Sequence, residues 1–285
     1  AKSRAVSGQM INSGTINLNS SGTFNNHATG MQILMPSSEG ASATIKAGNI
    51  NVNGVNDDGI YVRSGFYGNV YSEIPSNVII DGSDGLITLN GSRNQGLTVS
   101  RYMGSAGSTN GLDNIKNMNI LVNGSEGVGM LVNPGELTLT NDYVINDKII
   151  KSITFGPNSK SSSFFMAQYL SNDKVLILDE SLSNSFGVID TGTMNTIVSM
   201  DTSSTIINNA SIEISENAKA MYALTTAQVY PVNFIPTSTI INKGNIINNS
   251  TPYTEAGNIY GAAGLGVLYC GGTVINTGNI DMNGQ

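Results

Sequence analysis

Ile241-Asn242-Lys243-Gly244-Asn245-Ile246 and Ile275-Asn276-Thr277-Gly278-Asn279-Ile280 are one unit written twice, 34 residues apart. In each, two isoleucines flank a short polar turn built on Asn and Gly. The unit recurs as Ile11-Asn12-Ser13-Gly14-Thr15-Ile16, Ile45-Lys46-Ala47-Gly48-Asn49-Ile50, Ile115-Lys116-Asn117-Met118-Asn119-Ile120 and Ile207-Asn208-Asn209-Ala210-Ser211-Ile212. A looser copy opens at Ile80, with Ile87 in the second role. The starts at 11, 45, 80, 115, 207, 241 and 275 are spaced by 34 or 35, apart from one gap of 92. That gap fits three further steps, with copies at Ile145-Asn146-Asp147-Lys148-Ile149-Ile150 and near Val175-Leu176-Ile177-Leu178. A fixed period of this length marks a repeat architecture.

Each copy holds three strand-like pieces. Runs such as Thr15-Ile16-Asn17-Leu18-Asn19 and Asn49-Ile50-Asn51-Val52-Asn53 alternate apolar and polar residues between turn formers, the pattern of a half-buried strand. A third run follows, often after Gly: Gly59-Ile60-Tyr61-Val62, Gly96-Leu97-Thr98-Val99, Gly129-Met130-Leu131-Val132, Gly187-Val188-Ile189 and Gly266-Val267-Leu268-Tyr269. Ala220-Met221-Tyr222 takes this role without Gly, so residues 215–224, the one stretch of helical look, read as strand. Three short strands per period, each stacked on its counterpart one period away, predict an all-β parallel β-helix, or β-solenoid. The expected count is about nine coils of 31–36 residues. A β-propeller would need four strands per blade, and a sandwich would not repeat so closely. Residues 1–285 read as a single β-helix segment, and the repeats run so near both ends that a longer solenoid is expected.

Ile11, Ile45, Ile80, Ile115, Ile145, Ile207, Ile241 and Ile275 are expected to stack as one inward column. Ile16, Ile50, Ile87, Ile120, Ile150, Ile212, Ile246 and Ile280 are expected to form a second. The residue after the first column is Asn in five copies: Asn12, Asn146, Asn208, Asn242 and Asn276. Asn tolerates turn geometry, and its amide can bond to the same amide one coil away.

Composition narrows the function. The 285 residues include 37 Asn, 33 Gly, 1 Cys, 1 His and no Trp, and only 12% are charged. An ordinary domain has about 25% charged residues. One Cys excludes a disulfide scaffold and a thiolate zinc site. One His, His27, excludes a two-histidine metal site. A net charge of −7 with four Arg (Arg4, Arg63, Arg93, Arg101) argues against nucleic acid as a partner. No apolar run approaches the ~20 residues of a membrane span, so no membrane insertion by this segment is expected. The N-terminus shows no signal-peptide pattern.

The Ile-Asn-x-Gly-x-Ile repeats and the low-charge composition rich in Asn, Ser, Gly and Ile resemble the passenger domains of type V secretion autotransporters. The likeness covers nearly the whole chain and is closest to long fusobacterial adhesin passengers. The resemblance implies a right-handed parallel β-helix displayed on the bacterial cell surface, anchored at the outer membrane or secreted. It implies a C-terminal β-barrel translocator outside this chain. It also implies a role in cell adhesion and virulence, with a host cell-surface protein or glycan, or other bacteria, as partner. The single Cys270 fits a chain that crosses the outer membrane unfolded.

Catalysis is the main competing expectation, since β-helices host polysaccharide lyases and glycoside hydrolases. Such enzymes need carboxylates converging on one strip, for acid/base work or Ca binding. Asp57-Asp58, Asp81 with Asp84, Asp179-Glu180 and Asp201 are the candidates. Asp57-Asp58 and Asp84 precede glycines, where turn formation accounts for them. A serine nucleophile would need a Gly-x-Ser-x-Gly-like spacing, which Gly104-Ser105-Ala106-Gly107 and Gly82-Ser83-Asp84-Gly85 lack, and His27 has no evident partner. Gly261-Ala262-Ala263-Gly264-Leu265-Gly266 precedes no helix and is not a phosphate loop. No catalytic residue, metal or cofactor is assigned.

Loop excursions are expected at residues 63–77, 100–113, 157–172, 225–238 and 250–264. Those that lead from a third strand to the next first strand share one corner of the coil. They carry Phe66, Tyr67, Tyr71, Tyr102, Tyr230 and Phe234, aromatics that a solenoid core does not require. Loops on a rigid scaffold concentrate binding residues, and Tyr is favoured at recognition surfaces. These six are the candidate ligand-binding residues. A passive spacer stalk is the third expectation.

Overall fold

A computed structural model describes residues 7–21, 28–34, 42–63, 66–67, 70–71, 77–100, 112–133, 142–168, 175–188, 195–201, 204–214, 218–224, 237–248, 253–255, 258–260, 263–268 and 271–282. The chain is a parallel β-solenoid with three faces. The first face holds Ser7–Ile11, Ser42–Lys46, Asn77–Asp81 and Ile115–Lys116 in one sheet. A second sheet on this face runs from Tyr143–Ile145 through Val175–Leu178, Thr205–Asn208 and Thr237–Asn242 to Gly271–Asn276. The second face stacks six strands from Thr15–Leu18 to Phe186–Val188, then three from Ser211–Ile214 to Asn279–Met282. The third face is one eight-stranded sheet from Thr29–Leu34 to Ala263–Leu268. Among the described residues, helix is confined to the short 3-10 segment Glu180–Asn184.

The coil count differs from the nine expected. Among the described residues, the third face carries eight strands, and no first-face ladder exceeds five. The interruption lies between Ile115–Lys116 and Tyr143–Ile145. There the turn after Ile145 is wide, with Ile149 and Ile150 N–H groups both directed at the Asn146 carbonyl (3.1 and 3.0 Å). The next strand, Ile150–Phe155, therefore enters late. Met118 pairs with Ile150 and Ile120 with Ile153, with a register shift between Met118 and Asn119. Ile153, not Ile150, continues the second inward column.

The first column also needs correction, and the cause is strand period. A shift of one residue moves a whole side-chain set to the opposite face. Met10, not Ile11, stands beside Ile45, followed by Ile80 and Ile115. Beyond the interruption, Ile145 is buried as expected, beside buried Leu178, but Asn208 follows them, and the apolar column that continues is Tyr143, Leu176, Ile206 and Ile240. Ile207 and Ile241 are half-buried, while Asn208 and Asn242 turn inward with no exposed surface. In the second column, the expected stacking of Ile16, Ile50, Ile87 and Ile120, and of Ile212, Ile246 and Ile280, is observed.

Two further assignments change. Gly187-Val188 belongs to the second-face strand Phe186–Val188, and the third-face strand of that winding is Thr196–Asp201. Residues 157–172 are not a loop throughout, because Ser163–Gln168 is a third-face strand paired with Val128–Asn133. Phe164 and Phe165 on that strand are both fully buried. Phe164 falls opposite Gly129, at a position that is Gly30, Gly59 and Gly96 in earlier windings. A Cβ on Gly59 would lie 2.7 Å from the Gly96 carbonyl oxygen, so a side chain fits here only where the winding is wider.

The corner between the second and third faces carries a motif of its own: Asn53-Gly54-Val55-Asn56-Asp57, Asn90-Gly91-Ser92-Arg93-Asn94 and Asn123-Gly124-Ser125-Glu126-Gly127. Its fourth residue is left-handed in every copy, with φ of 57° at Asn56, 60° at Arg93 and 55° at Glu126. Such backbone is costly for Arg and Glu and persists where neighbours fix it. Here the N–H groups of Asn56, Arg93 and Glu126 donate to the carbonyls of Ser92, Ser125 and Lys160 in the next winding (3.2, 2.9 and 2.7 Å). The motif's Gly is equally constrained, since a Cβ on Gly91 would sit 1.8 Å from the Gly54 carbonyl oxygen.

Candidate ligand-facing surfaces

The six aromatic candidates divide by position. Phe66, Tyr67 and Tyr71 lie on a two-stranded antiparallel hairpin, Phe66–Tyr67 with Val70–Tyr71, in which Phe66 pairs with Tyr71. The hairpin stands at the third-to-first corner, between Asp58–Arg63 and Asn77–Asp81. Tyr102, Tyr230 and Phe234 lie outside the described residues, as do His27 and Cys270. A second hairpin, Tyr253–Glu255 with Asn258–Tyr260, occupies the 250–264 excursion at the second-to-third corner and pairs Tyr253 with Tyr260. Those two tyrosines were not among the candidates. The signal for them was available, since a Tyr at each end of a Gly-Asn segment is a short hairpin pattern.

Asp57, Asp58, Asp81 and Asp179 are each taken up in local structure. Asp57 is fully buried and accepts from the Ser20 hydroxyl (2.5 and 2.7 Å to its two oxygens) and from the Ala28 N–H (2.8 Å). It ties one winding to the next, and its own N–H is held by the Asn94 amide oxygen at 2.9 Å. The same buried position is Ser162 and Asn195 further along, where Asn195 accepts from the Ser162 N–H (3.0 Å) and donates to Ser159 (2.8 Å). Asp58 faces the Thr98 hydroxyl at 2.6 Å. Asp179 caps the short 3-10 segment through the Ser181 N–H (3.0 Å). Asp201 lies on the third-face strand Thr196–Asp201. Among the described residues, no group of three or more His, Cys, Asp and Glu is arranged to hold a metal ion.

Asp81 sits at the first corner. Burial pushes its carboxyl up, but the Ser83 N–H (3.1 Å) and hydroxyl, the Asn117 amide (3.3 Å) and Lys116 (3.3 Å) outweigh that, leaving it below its ordinary 3.8. A carboxyl lowered by folding adds stability above its unfolded value and loses it as pH falls through the folded one. Asp81→Asn is therefore expected to cost about 0.5–1 kcal/mol at neutral pH, in the range of a partly solvated pair. In urea melts, the difference from the parent shrinks as pH drops below the carboxylate range. A difference that stays constant with pH counts against this assignment. Lys219 behaves in the opposite sense: half-burial lowers its ammonium below 10.5, and its Nζ lies 4.2 Å from the Tyr222 ring centroid.

Amide ladders are the most regular surface feature. On the exposed second-to-third corner, Asn53 donates to Asn19 (2.9 Å), Asn90 to Asn53 (2.9 Å) and Asn123 to Asn90 (3.1 Å). On the second face, Asn51 donates to Asn17 at 2.8 Å. At the first corner, Asn208 donates to Asn242 (2.9 Å) and Asn242 to Asn276 (2.8 Å), the stacking expected for that turn. The exposed ladder was not anticipated. Its signal is the repeated Asn-Gly pair at 53–54, 90–91 and 123–124. Comparison of the chain with protein-family models, with curated proteins and with solved structures finds no match.

Proposed function

We propose that this chain is a stalk segment of a surface-displayed or secreted adhesin passenger, exported by type V secretion and carried by a β-barrel translocator outside this sequence. Its partners are a host cell-surface protein or glycan, or another bacterium. The observation that carries the reading is the hairpin Phe66–Tyr67 with Val70–Tyr71. The winding closes without it, because Asp58–Arg63 pairs with Gln95–Ser100 and Asn77–Asp81 pairs with Ser42–Lys46. An aromatic insert that the scaffold does not need is a reasonable place for recognition. A solenoid also suits export as an unfolded chain, since each winding contacts only its neighbours and can fold as it emerges.

The test exchanges residues 66–71 for a Gly-Ser linker and, separately, replaces Tyr67, Tyr71 and Tyr102 with alanine. The expected result is an unchanged melt and at least a tenfold loss of binding to epithelial cells or to partner bacteria. Full binding by both variants would overturn the assignment of adhesion to these loops and favour the spacer.

A further inference from the structure

The exposed amide ladder offers more than stability. Asn19, Asn53, Asn90 and Asn123 point the same way along the solenoid, and the short Asn17–Asn51 ladder runs beside them. An amide has two N–H donors and an oxygen with two acceptor sites. An interior ladder member spends one donor and one acceptor on its neighbours. One of each is left per winding, repeated at the strand spacing of about 4.8 Å. The strip contains no charged side chain. In the same corner Arg93 is bonded to Glu126 at 2.6 Å, and at the first corner Lys116 is bonded to Asp81 at 3.3 Å. Leu86, 40% exposed, lies on the same outward side of the second face, four residues before Asn90, and its N–H is held by Asn49 Oδ1 at 3.1 Å.

We infer that this strip binds an extended neutral polysaccharide lying along the solenoid axis. A hydroxyl both donates and accepts, so a row of sugar hydroxyls matches a row of paired amide donors and acceptors. The C–H face of a sugar ring matches Leu86. The amides offer an anionic polymer no cation to offset its desolvation, and Arg93 in the same corner is already paired with Glu126. A protein partner would require a larger apolar centre than one leucine. The inference rests on the adhesin reading for its setting, but it uses a surface separate from the hairpin.

The experiment is affinity electrophoresis of the whole chain in native gels cast with mannan, dextran or hydroxyethyl cellulose, with alginate as the anionic contrast. Retardation by at least one neutral polymer and none by alginate is expected. Asn53→Asp with Asn90→Asp should weaken retardation at least tenfold, since adjacent carboxylates replace donors and repel. Leu86→Ser, outside the ladder and tolerant of folding, should weaken it severalfold. Exchange of residues 66–71 should leave it unchanged, which separates failure of this strip from failure of the hairpin. The inference is overturned if no neutral polymer retards the chain, if alginate alone does, or if both strip variants bind as the parent does.

Discussion

Phe164→Ala is expected to lower the unfolding free energy by about 3–5 kcal/mol, the range for emptying a fully buried aromatic site. The ring has no exposed surface and stacks on Phe155 at 3.9 Å between centroids, with 23° between planes. On its other side, Phe186 lies 6.0 Å away and stands edge-on to Phe165 at 6.1 Å. These rings join three strands, Ile150–Phe155, Ser163–Gln168 and Phe186–Val188, from two successive windings. The surroundings cannot collapse far into the void, because hydrogen-bonded ladders fix the strand positions on both faces. A solenoid is stabilised by nearest-neighbour interfaces, so a defect in the middle loosens one interface before the others. Amide hydrogen exchange should therefore accelerate first in residues 150–155, 163–168 and 186–188, with residues 49–52 and 87–89 still protected. Phe155→Ala should cost less in the Phe164→Ala background than alone, because the stacking term of about 0.5–1.5 kcal/mol has already been lost. Additive costs, or uniform loss of protection along the chain, would show that the rings are not a local plug.

That cluster also explains where the sequence misled. The gap of 92 residues between recognisable copies is the stretch in which the winding widens. Its corner gains residues at 146–149, and Phe164 takes a position occupied by glycine in earlier windings. Counting an average period across the gap placed Ile150 in the second column and made 157–172 a loop. Outside the gap the three strands per repeat were legible, because alternation fixes the face once one inward residue is known. The inward residue itself was the weak point at the first corner. Ile207-Asn208 reads as apolar-in and polar-out by composition alone. The backbone does the reverse, since Asn208 can satisfy its amide inside, bonding to the Ala210 N–H, the Ala210 carbonyl and Asn242. The candidate site was less legible still. Phe66, Tyr67 and Tyr71 stand out as candidates because they interrupt a repeat. The amide strip was overlooked because it is the repeat.

Asn242→Ala is the second large effect, with an expected cost of about 2–4 kcal/mol, since it strands buried polar groups. Asn242 is fully buried, accepts from Asn208, and donates to the Gly244 carbonyl (3.2 Å) and to Asn276 (2.8 Å). Alanine removes the partner of all three, and water has poor access to the inner side of the corner. Asn53→Ala removes the same kind of amide pair from the exposed ladder. There water replaces the lost partners, so about 0.5–1.5 kcal/mol is expected. Asn242→Asp supplies a sharper control. The aspartate keeps an acceptor for Asn208 but sets a carboxylate against the Gly244 carbonyl and the Asn276 oxygen. Its folded pKa should rise above the unfolded value, so the defect is largest at neutral pH and eases as acid protonates the group. Urea melts of the three variants at neutral and mildly acidic pH decide the matter. Equal costs for Asn242→Ala and Asn53→Ala would mean that burial does not set the strength of a ladder. In that case the inward turn of Asn208 and Asn242 would need another cause than the satisfaction of their amides.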